Sequence, residues 1–110
     1  MQVDIRDDGS IVFIEPVGDI DGKTAPEVHD KVFKLLLPQA RIVLNLERVA
    51  FMSSAGLREM LLIYREAKAK DAKVVLAAVN DDIRSSMSAT GFLAFFVLGD
   101  SVEDAISRMG

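Results

Sequence analysis

Two short runs of β-branched and aliphatic residues, RIVLNL at 41–46 and KVVLAAV at 73–79, are each followed by a segment whose apolar residues return every three or four positions. Strands that are apolar throughout are covered on both faces, and strands separated by a helix-length segment pair in parallel across a crossover. That combination confines the chain to an α/β architecture.

The remaining segments fit around this centre. Val3 and Ile5 alternate with polar residues, DDGS at 7–10 is a turn cluster, and IVFIEPV at 11–17 reads as the returning strand of a hairpin. Pro16 has no N–H to give a ladder and marks an edge or a strand end. Thr24 and Glu27 have the spacing of a capping box, with Pro26 in the first turn. A first helix is therefore expected from about 25 to 37, burying Ala25, Val28, Val32, Leu35 and Leu36 and stopped by Pro38. In the second helix Leu57, Met60, Leu61 and Tyr64 form the expected inward stripe, and REAKAKDAK is its solvated end. Asn80 is placed to cap a third helix that turns Ile83 and Met87 inward and ends at Gly91. FLAFFVL at 92–98 reads as the last strand, and Ser101 with Asp104 opens a final helix carrying Val102, Ala105, Ile106 and Met109. The order β-β-α-β-α-β-α-β-α predicts one α/β domain over residues 1–110. Its mixed β-sheet joins an N-terminal antiparallel hairpin to parallel strands and is packed by about four helices.

Composition narrows the chemistry. The chain has no cysteine, which removes disulfides, thiolate catalysis and zinc-thiolate sites and suits a reducing cytoplasm, where the protein is expected to act. A net charge of -4 argues against nucleic acid, whose binding is driven by cationic contacts to phosphate. No apolar run is long enough to span a bilayer, and MQVDIRDDGS lacks the pattern of a signal peptide, so no membrane role is expected. Neither G-x-x-x-x-G-K-(S/T) nor G-x-G-x-x-G occurs, and no cofactor or metal is expected. A strand-serine-helix junction also suits a hydrolase, but G-x-S-x-G would need glycine at position 52, where Met52 stands. The one histidine, His29, lies inside the first helix on an exposed or boundary face and precedes the serines. The chain is read as a non-enzyme.

The most informative stretch is VAFMSSAGLREMLLIY at 49–64, where a strand exit delivers Ser53 and Ser54 to a helix entry. Open α/β sheets bring their functional groups to this position. A helix N-terminus has unpaired N–H groups and partial positive charge, which suit an anion such as a covalent phosphate. Serines are equally good capping residues, and the residues alone leave both roles open.

The stretch IVLNLERVAFMSSAGLREML resembles the signature of STAS domains, in particular of bacterial anti-sigma factor antagonists. VGDIDGKTAPEV and ATGF are similar to the family's loop before its first helix and turn after its third. The resemblance implies that Ser54 is a phosphorylation site. It implies two partners: an anti-sigma factor serine kinase with a histidine-kinase-like ATPase fold, which the unmodified protein binds, and a PP2C-type phosphatase that restores that form. Ser53 stands where many relatives carry aspartate, Ala55 where others carry Ser or Thr, and Arg58 where glycine is frequent. Asp21 lies, by the resemblance, in the loop beside the acceptor, either orienting the serine or the kinase or simply solvated. Met52 and Phe51 offer either an exposed apolar rim for docking or a buried strand-exit pair, the latter expected for Phe51. Gly56 points to close backbone approach, by a partner or by the adjacent sheet. STAS domains also serve as scaffolds or regulatory subunits without serine phosphorylation, which is the alternative reading.

Overall fold

The computed structural model describes residues 1–110. The elements are strands β1 (Gln2–Asp7) and β2 (Val12–Val17), helix α1 (Ala25–Leu35), β3 (Arg41–Asn45), α2 (Ser54–Ala69), β4 (Lys73–Ala77), α3 (Asp81–Ala89), a 3-10 turn at Phe92–Phe95, β5 (Val97–Gly99) and α4 (Val102–Arg108). One sheet runs β1-β2-β3-β4-β5, with β1 antiparallel to β2 and every other pairing parallel. The predicted mixed α/β fold is the observed one.

The period of two in each strand sorts the core into two layers. Ile14, Ile42, Leu44 and Leu76 face one side, against Val28 and Val32 of α1, Met60 and Ile63 of α2, and Ile83 and Met87 of α3. Phe13, Val43, Val75 and Ala77 face the other, against Ala105 and Met109 beside α4. Three parallel crossovers step the same way across the sheet, so their common right hand puts α1, α2 and α3 on one face. The second face is left to α4.

Several local expectations are corrected. Thr24 does not cap α1 with its side chain. Its hydroxyl donates to the Asp19 carbonyl at 2.7 Å and accepts from the Asp21 N–H at 2.9 Å, while Glu27 faces the Met1 amino group at 2.8 Å. The loop absorbs the groups a capping box needs. Helix α1 ends at Leu35, because Leu36 leaves helical geometry to bury its side chain completely and Leu37 turns outward. The inward face of α2 is Leu57, Met60, Ile63 and Ala67, with Leu61 and Tyr64 only half-buried. FLAFFVL is not one strand: Gly91, at φ 78°, diverts the chain into the 3-10 turn, and only Val97–Gly99 pairs with β4. Ile106 is exposed, since the second face needs only Ala105, Met109 and part of Val102. Pro16, next to last in β2, lies past the segment that pairs with β3, where its missing N–H breaks no bond to that strand.

Candidate functional site

The chain leaving β3 is tied to the loop after β2 before it enters α2. Ile20 N–H donates to the Phe51 carbonyl at 3.0 Å, and Ser53 N–H donates to the Ile20 carbonyl at 2.9 Å. Ile20 and Met52 form an isolated parallel bridge. From the other side, Asn80 Nδ2 donates to the carbonyls of Val49 and Ala50, at 3.3 and 3.0 Å, while its Oδ1 caps α3 by accepting from Ile83 N–H at 2.8 Å. One amide therefore fixes both a helix start and the approach to the serines. The capping role is visible in the sequence; the second role is not.

Ser53 is the N-cap of α2, its Oγ accepting a long 3.4 Å bond from Gly56 N–H. Ser54 is the first helical residue, exposed to solvent, and its hydroxyl makes no hydrogen bond within the chain. Of the roles the residues left open, Ser53 takes the cap and Ser54 does not. Helix α2 is also the one helix of four without an acidic residue in its first turn, so its partial positive charge has no local carboxylate to offset it.

Gly56 is buried, and a Cβ there would lie 2.5 Å from the Ile20 carbonyl oxygen and 2.5 Å from Met52 Cγ. The close approach comes from this chain's own loop. Met52 is buried at 5% exposure, one of the two arrangements left open for it, while Phe51, expected to be buried, is 55% exposed. The bridge to Ile20 turns Met52 inward over Gly56 and leaves Phe51 on the outside. Met52 therefore supports the serine loop from beneath, and the apolar rim is Phe51.

Asp21 sits in the loop stitched to the serines but is not bonded to Ser54. Its Oδ1 accepts from the N–H groups of Lys23 and Thr24, at 2.9 and 3.1 Å, and these backbone bonds lower its pKa below the ordinary aspartate value. The carboxylate fixes its own turn. Ala55 is half-buried and Arg58 exposed on the first turns of α2. Both line a groove of about 350 Å³ between α1 and α2 that Pro26, His29, Glu59 and Leu62 complete.

Glu59 is the residue that sequence reasoning missed. It is the one charged side chain in the core, at 5% exposure, and His29 Nδ1 lies 2.8 and 3.1 Å from its two oxygens. His29 in turn stacks on Phe33 at 3.8 Å between ring centres. Burial raises the Glu59 carboxyl above the ordinary glutamate value, an effect the His29 bond partly offsets. The available signal was its spacing of three from Gly56 and four from Ile63, on the inward face.

The family profile described as the STAS domain matches residues 2–105, and the chain belongs to the STAS domain family. It is 34% identical over 67 residues to a Bordetella bronchiseptica protein named as an anti-sigma factor antagonist, BtrV, a match covering 61% of this chain and 58% of that one. The matched segment thus spans little more than half the length of this relative. A Thermotoga maritima protein described as an anti-sigma factor antagonist superposes with TM-score 0.88 at 17% identity, over 97% of this chain and 93% of that one. The Bacillus cell fate determinant SpoIIAA in its phosphorylated form superposes with TM-score 0.73 at 22% identity, over 99% and 100%. No helix of the structure is long and apolar enough to cross a membrane.

Proposed function

We propose that this protein is an anti-sigma factor antagonist acting as a phosphorylation-controlled partner switch, and not an enzyme. Unmodified, it binds an anti-sigma factor that is itself a serine kinase and so releases the kinase's target. The kinase transfers a phosphoryl group to Ser54 Oγ, the complex dissociates, and a PP2C-type phosphatase restores the binding form. The observation that carries this reading is the exposed, unbonded Ser54 hydroxyl at the first position of α2. The BtrV relationship and the phosphorylated SpoIIAA structure support the class of protein and its chemistry.

The energetics favour a switch at the interface over a switch in the fold. Phosphorylation adds about -1.5 to -2 charges at Ser54. The free N–H groups and dipole of α2 stabilise that charge by about 0.3–1 kcal/mol. Enclosing it unpaired in a protein interface costs several kcal/mol. The interface term wins, and partner affinity should fall by roughly two to three orders of magnitude, while the fold is unchanged. Phe51, Ala55, Arg58 and the α1/α2 groove surround Ser54 as the docking surface, with Asp21, Ser53, Gly56 and Met52 holding its shape.

The test is mass spectrometry after incubation with the cognate kinase and ATP, together with calorimetric binding of Ser54→Ala and Ser54→Asp. Phosphate on Ser54, near-native binding by Ser54→Ala and about 100-fold weaker binding by Ser54→Asp are expected. An unmodified Ser54, or tight binding by Ser54→Asp, overturns the proposal.

A further inference from the structure

Arg58 is exposed on α2, four residues after Ser54, and enters none of the chain's ion pairs. Its own helix gives it no carboxylate three or four positions away, where Ser54, Ala55, Leu61 and Leu62 stand. Two carboxylates line the α1/α2 groove beside it, and neither takes it. Glu59 has both oxygens on His29, at 2.8 and 3.1 Å, and Asp30 is unpaired. The guanidinium is free.

The spacing gives that free cation a direction. Side chains four apart on a helix lie one above the other and lean toward its amino end, so an anion followed by a cation is the favourable order. The protein closes two such pairs already, Glu66 with Lys70 at 3.1 Å and Asp104 with Arg108 at 3.0 Å. Ser54 and Arg58 repeat the arrangement with the anion missing. A phosphate on Ser54 would supply it, with oxygens that match the planar fork of an arginine.

We propose that Arg58 is the intramolecular receptor of the Ser54 phosphate, closing an i,i+4 pair on α2 when the serine is modified and leaving the docking surface as it does so. The inference rests on the reading of Ser54 as the phosphorylated residue. It adds a second change to the switch. One guanidinium offsets only part of a charge of about -1.5 to -2, so a partner still meets a net anion, and meets it without the cation that stood free before.

The test installs phosphoserine at position 54 during synthesis of the intact chain, which needs no kinase, and follows the phosphate by ³¹P NMR from pH 4 to 8. A neighbouring cation favours the dianion, so the second phosphate pKa, ordinarily about 6, should lie about 0.3–0.7 unit lower in the wild-type background than in Arg58→Gln. Any effect of the helix dipole is common to both chains and cancels in the difference. Arg58→Lys should recover part of the shift, since it keeps the charge but not the fork. Arg65→Gln, which removes the same charge about 16 Å further along the helix, should leave the phosphate unchanged. The Arg58 Nε–H resonance should move between the unmodified and modified chains. Equal phosphate titration in wild type and Arg58→Gln, or an equal shift from Arg65→Gln, overturns the proposal. A cognate kinase that fails to modify Ser54 would instead refute the partner-switch reading, and the two failures are read in separate experiments.

Discussion

Replacing Gly56 with alanine sets two physical effects against each other. Glycine within a helix costs about 1 kcal/mol relative to alanine, so propensity alone predicts a more stable protein. The new Cβ, however, would sit 2.5 Å from both the Ile20 carbonyl oxygen and Met52 Cγ, where ordinary contact begins at 3.4 Å. Met52 can shift its flexible side chain, whereas the Ile20 carbonyl is backbone and already accepts the Ser53 N–H at 2.9 Å. Overpacking a core costs about 1–3 kcal/mol, and leaving the Ser53 N–H unpaired adds about 1–3 kcal/mol. The clash wins, and Gly56→Ala should be destabilised by roughly 1–5 kcal/mol after the propensity gain is subtracted. Urea unfolding followed by far-UV circular dichroism measures this directly. The midpoint should fall with an unchanged slope, and partner affinity should fall with it as the serine loop is displaced. A midpoint equal to or above wild type would refute the reasoning, showing that the Ile20 loop yields freely.

Asn80→Asp keeps the acceptor that caps α3 but sets a carboxylate against the carbonyls of Val49 and Ala50; a loss of about 1–3 kcal/mol in urea unfolding is expected, and its absence would mean the amide does not anchor the loop. Ser53→Ala removes only a long cap bond and should cost no more than about 1 kcal/mol, while Ser54 remains a kinase substrate by mass spectrometry. Because burial holds the Glu59 proton more tightly in the folded chain, stability should decline as pH rises from the ordinary glutamate value of 4.5 through the raised folded value. Glu59→Gln should flatten that decline in unfolding midpoints measured from pH 4 to 7, and an unaltered slope would show that another group is responsible.

The architecture was legible because it rests on periodicity. RIVLNL and KVVLAAV could be buried strands only with helices between them, and the helices that follow declare themselves by spacing and caps. The serine site was legible as a place, since a strand exit meeting a helix entry fixes where Ser53 and Ser54 stand. What periodicity could not supply was the direction of single residues outside regular elements. Phe51 and Met52 are adjacent and both apolar, and only the pairing of Ile20 with Met52 decides which is buried. FLAFFVL carries no period, so its division between a 3-10 turn and a short strand depends on Gly91 and on how few residues β4 can pair. Glu59 shows a further limit: its burial is bought by a histidine thirty positions earlier, on another helix. Asn80 likewise does half its work on a segment thirty residues away.

The sheet's two margins are blunted in different ways. On one side β1 carries Asp4, Arg6 and Asp7 along an exposed flank; on the other β5 is three residues long. Neither offers another polypeptide a ladder worth extending. Association through strand addition, the commonest accident of small sheet proteins, is thereby discouraged, and whatever company this molecule keeps must be recruited through its helix ends and loops.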